Sequence, residues 1–254
     1  MRPPINTLFI GKTHHHLARV ESTNDYLRNF LELSKEAVPE GLLISADDQT
    51  AGKGQGGKKW MTEPGANLML SILLKPVFLE PRHVFYLNKA VALAIHDTLA
   101  TEIYGVTIKW PNDMYFENKK LAGVLIENVL GGNRILQSII GIGINVNQQI
   151  FDENLPNPVS LIQITGRQTD LSQLCATLCI QLEKYYLQLR SHQFTTIDAL
   201  YHHYLLKHQK ENQFIINNEL ITATVNGVSA GGKLILSTAD KKMELAVGEV
   251  EWIL

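Results

Sequence analysis

Asp48-Gln49-Thr50-Ala51-Gly52-Lys53-Gly54-Gln55-Gly56-Gly57-Lys58-Lys59-Trp60 is the stretch on which the fold turns. Four glycines, three lysines and one tryptophan, with Gln55, make up Gly52 to Trp60. Glycine lets a ligand approach the backbone, and lysine supplies positive charge, so the composition suits closure over an anion such as phosphate. The same composition serves a mobile surface turn with solvated lysines. Two familiar spacings occur in it. Gly52-x-Gly54-x-x-Gly57 matches a dinucleotide-binding turn, which should open a helix and be followed by an acidic residue about 20 positions on. Here Pro64-Gly65 follows Trp60 within five residues, and position 77 is Val77. Gly52-x-x-x-x-Gly57-Lys58 begins like a Walker A loop, but the next residue is Lys59, which has no hydroxyl for Mg²⁺. Both spacings need a helix that is missing. The stretch is a loop between two strands, and a doubly wound nucleotide fold is set aside.

Working outward, Gly41 to Ala46 reads as a buried strand entering the loop, and Leu68 to Leu74 as the strand leaving it. Upstream, Leu8-Phe9-Ile10-Gly11 reads as a short strand. Ser22 and Asp25 have the spacing of a capping box, with Tyr26, Leu27, Phe30 and Leu31 on one helical face behind them. Ser22-Thr23-Asn24 therefore caps a helix, and a helix N-terminus also gathers polar groups where an anion can sit. Downstream, Pro81 opens a helix with Val84, Leu87, Val91, Ile95 and Leu99 at three- and four-residue steps. Val106 to Trp110 is a strand stopped by Pro111. Leu121–Val129 and Ile135–Val146 are long strands joined by Gly131-Gly132-Asn133, a hairpin signal. A long loop carries Pro156 and Pro158. Asp170 caps a helix from Leu171 to about Leu189, and Thr195 to Lys207 is a further helix. From Gln213 only short strands follow, near 214–216, 221–225, 233–237 and 243–247, which predicts a small barrel.

The totals narrow the function class. Of 254 residues, 45% are hydrophobic and 19% charged, ordinary for a globular chain of one large and one small domain. A net charge of −2 argues against a nucleic-acid surface. No run of 18 apolar residues and no signal peptide are present, so a membrane role is not expected and a cytoplasmic setting is. Cys175 and Cys179 lie on a helical stripe and read as buried core thiols, not as a metal site. His83, His96, His192, His202 and His203 fall in helical segments and read as structural.

Taken in order, several motifs add to one another: Ser22-Thr23-Asn24, Gln49-Thr50-Ala51-Gly52-Lys53-Gly54, Trp60, Gly65-Ala66-Asn67-Leu68, Lys109-Trp110-Pro111-Asn112-Asp113, Lys120-Leu121-Ala122-Gly123-Val124-Leu125-Ile126-Glu127 and Gly141-Ile142-Gly143-Ile144-Asn145-Val146-Asn147. This set resembles biotin–protein ligase, the biotin–[acetyl-CoA carboxylase] ligase, from about residue 8 to the C-terminus. The resemblance implies an α+β fold: a mixed, largely antiparallel sheet with flanking helices, similar to class II aminoacyl-tRNA synthetases and lipoate ligases. A small C-terminal SH3-like barrel would complete it, with residues 1–208 as the catalytic domain and 209–254 as the barrel. About 20 residues precede Ser22, too few for a helix-turn-helix domain, so the expectation is the monofunctional type without DNA binding.

The resemblance also implies substrates, roles and partners. Biotin and MgATP would give biotinyl-5′-AMP, and biotin would pass to one lysine of a biotin carboxyl carrier domain. Lys120 matches the family lysine at biotin and the α-phosphate. Ser22, Thr23, Asn24, Gln49, Lys53, Gly54, Gln55 and Gly123 join it around biotin. Gly52, Lys53, Lys58, Trp60, Lys109, Asp113 and Asn145 fall on the ATP and adenylate side, with Asp113 also at Mg²⁺. The protein would be a monomer or homodimer. Gln55 and Gly56 stand where many members have arginine, so Gln55 keeps hydrogen bonding and loses charge. Two other readings stay open. One is a lipoate–protein ligase or related acyltransferase, and the other is a non-catalytic binding or docking module.

Overall fold

The computed structural model describes residues 5–254. In chain order the strands and helices are β1 (His14–Leu17), α1 (Thr23–Leu33), β2 (Leu43–Ala46), β3 (Leu68–Leu74), α2 (Val84–Leu99), β4 (Val106–Lys109), β5 (Asp113–Phe116), β6 (Lys119–Gly131), β7 (Arg134–Ile144), α3 (Leu161–Thr165), α4 (Leu171–Arg190) and α5 (Phe194–Tyr204). Five short strands follow: β8 (Glu211–Ile216), β9 (Glu219–Val228), β10 (Leu234–Ser237), β11 (Lys242–Leu245) and β12 (Glu251–Ile253). The first seven strands make one sheet in the order β1-β2-β3-β7-β6-β5-β4. Only β1 and β2 run parallel. The architecture is the expected mixed α+β sheet with flanking helices.

Alternation along the central strands decides what each face does. Leu68, Leu70 and Ile72 of β3, Ile140, Ile142 and Ile144 of β7, and Ala122 and Val124 of β6 join one core with α2 and α4. The intervening positions point the other way, toward α1. They include the small or polar Ser71, Gly141, Gly143, Gly123 and Glu127 and the apolar Met69, Leu73, Leu125 and Ile139. Helix α1 covers only one end of that face, packing Leu27 with Leu42, Ile44, Leu73 and Ile139. The rest of the face is a trough with a polar, side-chain-poor floor.

Four expectations are corrected. Leu8–Gly11 is not a strand. The Glu183 carboxylate of α4 accepts from the backbone N–H groups of Leu8, Phe9 and Ile10, at 2.5, 2.8 and 3.1 Å, so these donors have no ladder to join. The capping box is half made: Ser22 Oγ accepts from Asp25 N, but the Asp25 carboxylate turns to Arg28 and Lys53. The loop after Val146 contains α3, closed by a full capping box between Ser160 and Gln163. The helix expected to reach Lys207 ends at Tyr204, and Lys207 has a positive φ of 58°.

The C-terminal strands form an antiparallel sheet in the order β11-β10-β9-β8-β12, compatible with an SH3-like barrel. Strand β12, unread in the sequence, pairs with β8 and buries Trp252 against Phe214. This sheet docks through specific contacts. Trp110 Nε1 donates to Gly232 O at 2.9 Å, and His202 Nε2 accepts from Val228 N at 2.8 Å. Among the described residues no helix is long and apolar enough to cross a membrane.

Candidate functional site

The glycine-rich stretch does connect β2 to β3. Its base is a short hairpin in which Trp60 N donates to Gly52 O at 2.8 Å and Gly54 N to Lys58 O at 2.6 Å. A 3₁₀ turn, Gln55–Gly57, forms its tip, with Gly56 and Gly57 at φ of 67° and 79°. Those angles are strained for other residues, which explains the glycines there. Gln55 and Lys58 are exposed on this tip.

One end of the trough is a hydrogen-bonded floor of small polar groups. Gln49 Oε1 accepts from Thr23 N at 2.8 Å and from Thr23 Oγ1 at 3.1 Å. Ser71 Oγ donates to Asn24 Oδ1 at 2.6 Å and lies 2.8 Å from Thr23 Oγ1. Asn24 Nδ2 donates to Glu127 Oε2 at 2.7 Å. A Cβ on Gly141 would stand 3.0 Å from Asn24 Cγ and Nδ2, so this glycine is what lets α1 sit down on β7. Ser22, Thr23 and Asn24 are all buried, and Ser22 serves as the N-cap.

The other end is cationic and aromatic. Gly123 of β6 pairs with Gly143 of β7, leaving a bare step in the sheet, and the Trp60 indole lies on it. A Cβ on Gly143 would come 2.6 Å from Trp60 Nε1, and one on Gly123 would come 3.2 Å from both Trp60 Cζ3 and Lys120 Cε. Lys120 Nζ stands 5.7 Å from the indole ring centroid and 2.7 Å from Asp113 Oδ2. Lys109, paired with Asp113 across the β4–β5 turn, is half-buried and reaches Tyr115 Oη at 3.3 Å. Burial pushes the Lys109 ammonium below its ordinary pKa, Asp113 opposes, and Lys120 and Lys58 push it further down. Burial and the Asp113 charge together raise the Tyr115 phenol. Lys109 and Lys120 thus flank Asp113, and Lys58 and Glu251 are near enough to act on the Lys109 charge in opposite directions.

Main-chain contacts hold Lys120. Its N–H donates to Asn157 O at 2.7 Å, and its carbonyl accepts from Val159 N at 2.9 Å. Asn145 Nδ2 donates to Val159 O at 3.1 Å and Lys120 O at 3.4 Å, which locks the same crossing. Lys53, from the hairpin base, pairs with Asp25 at 2.7 Å. Burial would raise the Asp25 carboxyl, but Lys53 and Arg28 outweigh it and hold it below the usual carboxylate range. Ser71, Gly141, Gly143, Asp25, Arg28 and Glu127 were missed as site residues. For the two glycines the signal was there, since each sits in a motif at every second position of a strand.

His96 of α2 stacks on Tyr204 at 3.7 Å, and His83, in a 3₁₀ turn before α2, lies against Phe194; His192, expected in a helix, instead sits in the turn between α4 and α5 at a φ of 56° and also lies against Phe194. Cys175 and Cys179 are buried in the α4 core. Among the described residues no three His, Cys, Asp or Glu side chains stand together to hold a metal ion. A depression of about 410 Å³ lined by Thr13, His15, Phe30 and Lys35 lies outside the trough. Lys53 and Trp60 occupy the trough itself.

Comparison with known proteins places this geometry. A model of the biotin/lipoate A/B protein ligase family matches residues 16–145. The bifunctional ligase/repressor BirA of Bacillus subtilis is 32% identical over 224 residues, 87% of this chain and 69% of that protein. The biotin–[acetyl-CoA-carboxylase] ligase of Mycobacterium tuberculosis is 30% identical over 181 residues, 69% of this chain and 64% of that protein. Among solved structures, the biotin protein ligase from Aquifex aeolicus in complex with biotin and ATP superposes with a TM-score of 0.78 at 27% identity, covering 94% of this chain and 98% of that one.

Proposed function

Because the chain belongs to the biotin/lipoate A/B protein ligase family, we propose that it is a biotin–protein ligase that makes biotinyl-5′-AMP from biotin and ATP. It would then transfer biotin to a lysine of a biotin carboxyl carrier domain, of acetyl-CoA carboxylase or a related carboxylase. The observation that carries the reading is the two-ended trough: a neutral hydrogen-bonding floor beside a cluster of lysines under an indole.

The two ends match the two halves of the first product. Biotin's urea both donates and accepts, and Thr23, Asn24, Gln49 and Ser71 offer both kinds of group. The first step brings a carboxylate to the α-phosphate of ATP, so negative charge accumulates where the new C(=O)–O–P bond forms and pyrophosphate departs. Lys120 is already fixed by its backbone and has its ammonium 2.7 Å from Asp113, so a phosphate oxygen need only replace that carboxylate. Lys109 and Lys58 add charge at the same place, and Asn145 keeps Lys120 at its crossing. Asp113, the carboxylate paired with Lys120, would hold Mg²⁺, the remaining oxygens coming from phosphate and water, as suits that ion. Magnesium would draw negative charge off the phosphates. The anhydride is sensitive to water, and the hairpin of Gly52 to Trp60 would screen it. In the second step the amine of the acceptor lysine attacks the acyl carbon and AMP leaves.

The test is to mix the protein with biotin, MgATP and a biotin carboxyl carrier domain and weigh the carrier. The expected result is a mass increase by one biotinyl group, dependent on ATP. No increase with biotin, or an increase with lipoate in its place, would overturn the reading.

A further inference from the structure

An alternating chain of charges ties the loop to the trough floor. Lys53 Nζ lies 2.8 Å from Asp25 Oδ1 and 2.7 Å from Oδ2. Arg28 Nη1 donates to the same Asp25 Oδ1 at 2.7 Å, and Arg28 Nη2 pairs with Glu127 Oε1. Glu127 Oε2 accepts from Asn24, which reaches Ser71. Two cations and two carboxylates alternate, so the set is neutral as it stands. Its members differ in exposure: the Lys53 side chain is 49% exposed and Asp25 only 24%. Lys53 is the terminal link and the only one on the hairpin.

We propose that Asp25 is a positioning residue for the loop: it latches Lys53 to α1 in the ligand-free protein and yields it to the anionic group of an incoming ligand. Arg28 makes the exchange possible. When Lys53 leaves, Asp25 keeps Arg28 and Arg28 keeps Glu127, so each carboxylate still touches a cation although the remaining three charges sum to −1. Because Arg28 and Lys53 share one carboxylate, they compete for it. Removing Asp25 frees the loop, whereas removing the Arg28 charge tightens the Lys53–Asp25 pair. A purely structural role for both residues would shift the loop in one direction. The release by a ligand rests on the function proposed above; the latch does not.

Trypsin reads the latch directly, because Lys53, Lys58 and Lys59 are its targets in the loop. The chain without ligand is digested at low salt, and cuts at these lysines are counted by mass spectrometry against cuts after Lys241 in the β10–β11 turn and Lys242 at the start of β11. That ratio removes any general loss of stability. Asp25→Asn should raise it about threefold, the size expected for a partly exposed ion pair. Asp25→Glu should stay near wild type, and Arg28→Met should lower the ratio by about twofold. Raising salt to about 0.5 M should bring wild type toward Asp25→Asn. A wild-type ratio in Asp25→Asn, or shifts of the same sign in Asp25→Asn and Arg28→Met, would overturn the latch. In a second arm, biotin with ATP should protect the loop, at lower concentration in Asp25→Asn. Protection at the same concentration in both would overturn the release. If no variant is protected while the first arm holds, the functional reading fails and the latch stands.

Discussion

Gly143→Ala isolates the step on which Trp60 lies. Gly143 is not among the glycines with positive φ, so alanine leaves the β7 backbone undisturbed. Its Cβ would stand 2.6 Å from Trp60 Nε1 and 2.7 Å from Cζ2. Carbon atoms in contact prefer about 3.5–4.0 Å, so the rigid indole must withdraw by roughly 1 Å or leave. Holding it in place would cost about 1–3 kcal/mol of overpacking. Leaving costs part of its apolar burial, but it frees Trp60 Nε1, which is buried with no partner among the described residues, to hydrogen-bond water. Departure should win, with a net stability loss of about 1 kcal/mol or less. Urea unfolding measures that loss. Fluorescence measures the indole, taken as the difference between each chain and its Trp60→Phe version so that Trp110 and Trp252 cancel. The expected result is a red-shifted Trp60, a nearly unchanged urea midpoint and at least a tenfold fall in biotin-dependent ATP–pyrophosphate exchange, about 1.4 kcal/mol of barrier. Gly141→Ala is the contrast. Its Cβ meets Asn24, which Glu127 and Ser71 hold in place, so that variant should lose about 1–3 kcal/mol. Unshifted Trp60 emission with wild-type exchange in Gly143→Ala would refute the reasoning.

Three further outcomes are expected. Lys120→Ala should abolish exchange, by about 10²–10³-fold or more, while far-ultraviolet circular dichroism stays unchanged; wild-type exchange would remove Lys120 from the chemistry. Lys89 is completely buried among Phe85, Tyr86 and Tyr201 and paired with Asp198, whose side chain is 36% exposed. Asp198→Ala should therefore cost about 3–5 kcal/mol in urea unfolding, and Lys89→Met far less, because only the first strands a charge away from water. His202 donates through Nδ1 to Asp198 O at 2.9 Å and accepts Val228 N through Nε2. Burial holds it below its ordinary pKa, Asp198 opposing and Lys89 adding to the effect. The unfolded chain then takes up its proton first, so stability present at neutral pH is lost as pH falls below about 6.5. Thermal unfolding between about pH 7 and 5.5 should be flatter in His202→Gln than in wild type; parallel curves would count against this.

What the sequence shows and hides follows from the range of each interaction. The loop between β2 and β3, the capped helix α1, the β6–β7 hairpin and α4 are set by local pattern and are legible as such. Leu8–Gly11 looks like a strand because its residues suit one, but the partner for its N–H groups is Glu183, more than 170 positions away. Asp25 reads as half of a capping box because it stands three positions after Ser22. Arg28, three positions on along the same helix, is a local competitor for its carboxylate, but nothing local says that Lys53 of the hairpin is another. Lys89 sits in a helix that reads as one-sided, yet α2 is enclosed by the sheet, α4 and α5, so its lysine ends in the core.

The site glycines show the same limit and explain the trough. Gly141 and Gly143 stand at every second position of their motif, and with Gly123 on the neighbouring strand they make one bare face. Which face, and what lies on it, depends on register. Gly123 opposite Gly143 makes room for an indole, and Gly141 opposite Ser71 makes room for Asn24. A slip of one residue in β7 would turn isoleucines into the trough and glycines into the helix-covered core. The isoleucines at 140, 142 and 144 therefore specify the site as much as the glycines do. Their burial against α2 and α4 fixes the register that leaves the other face open.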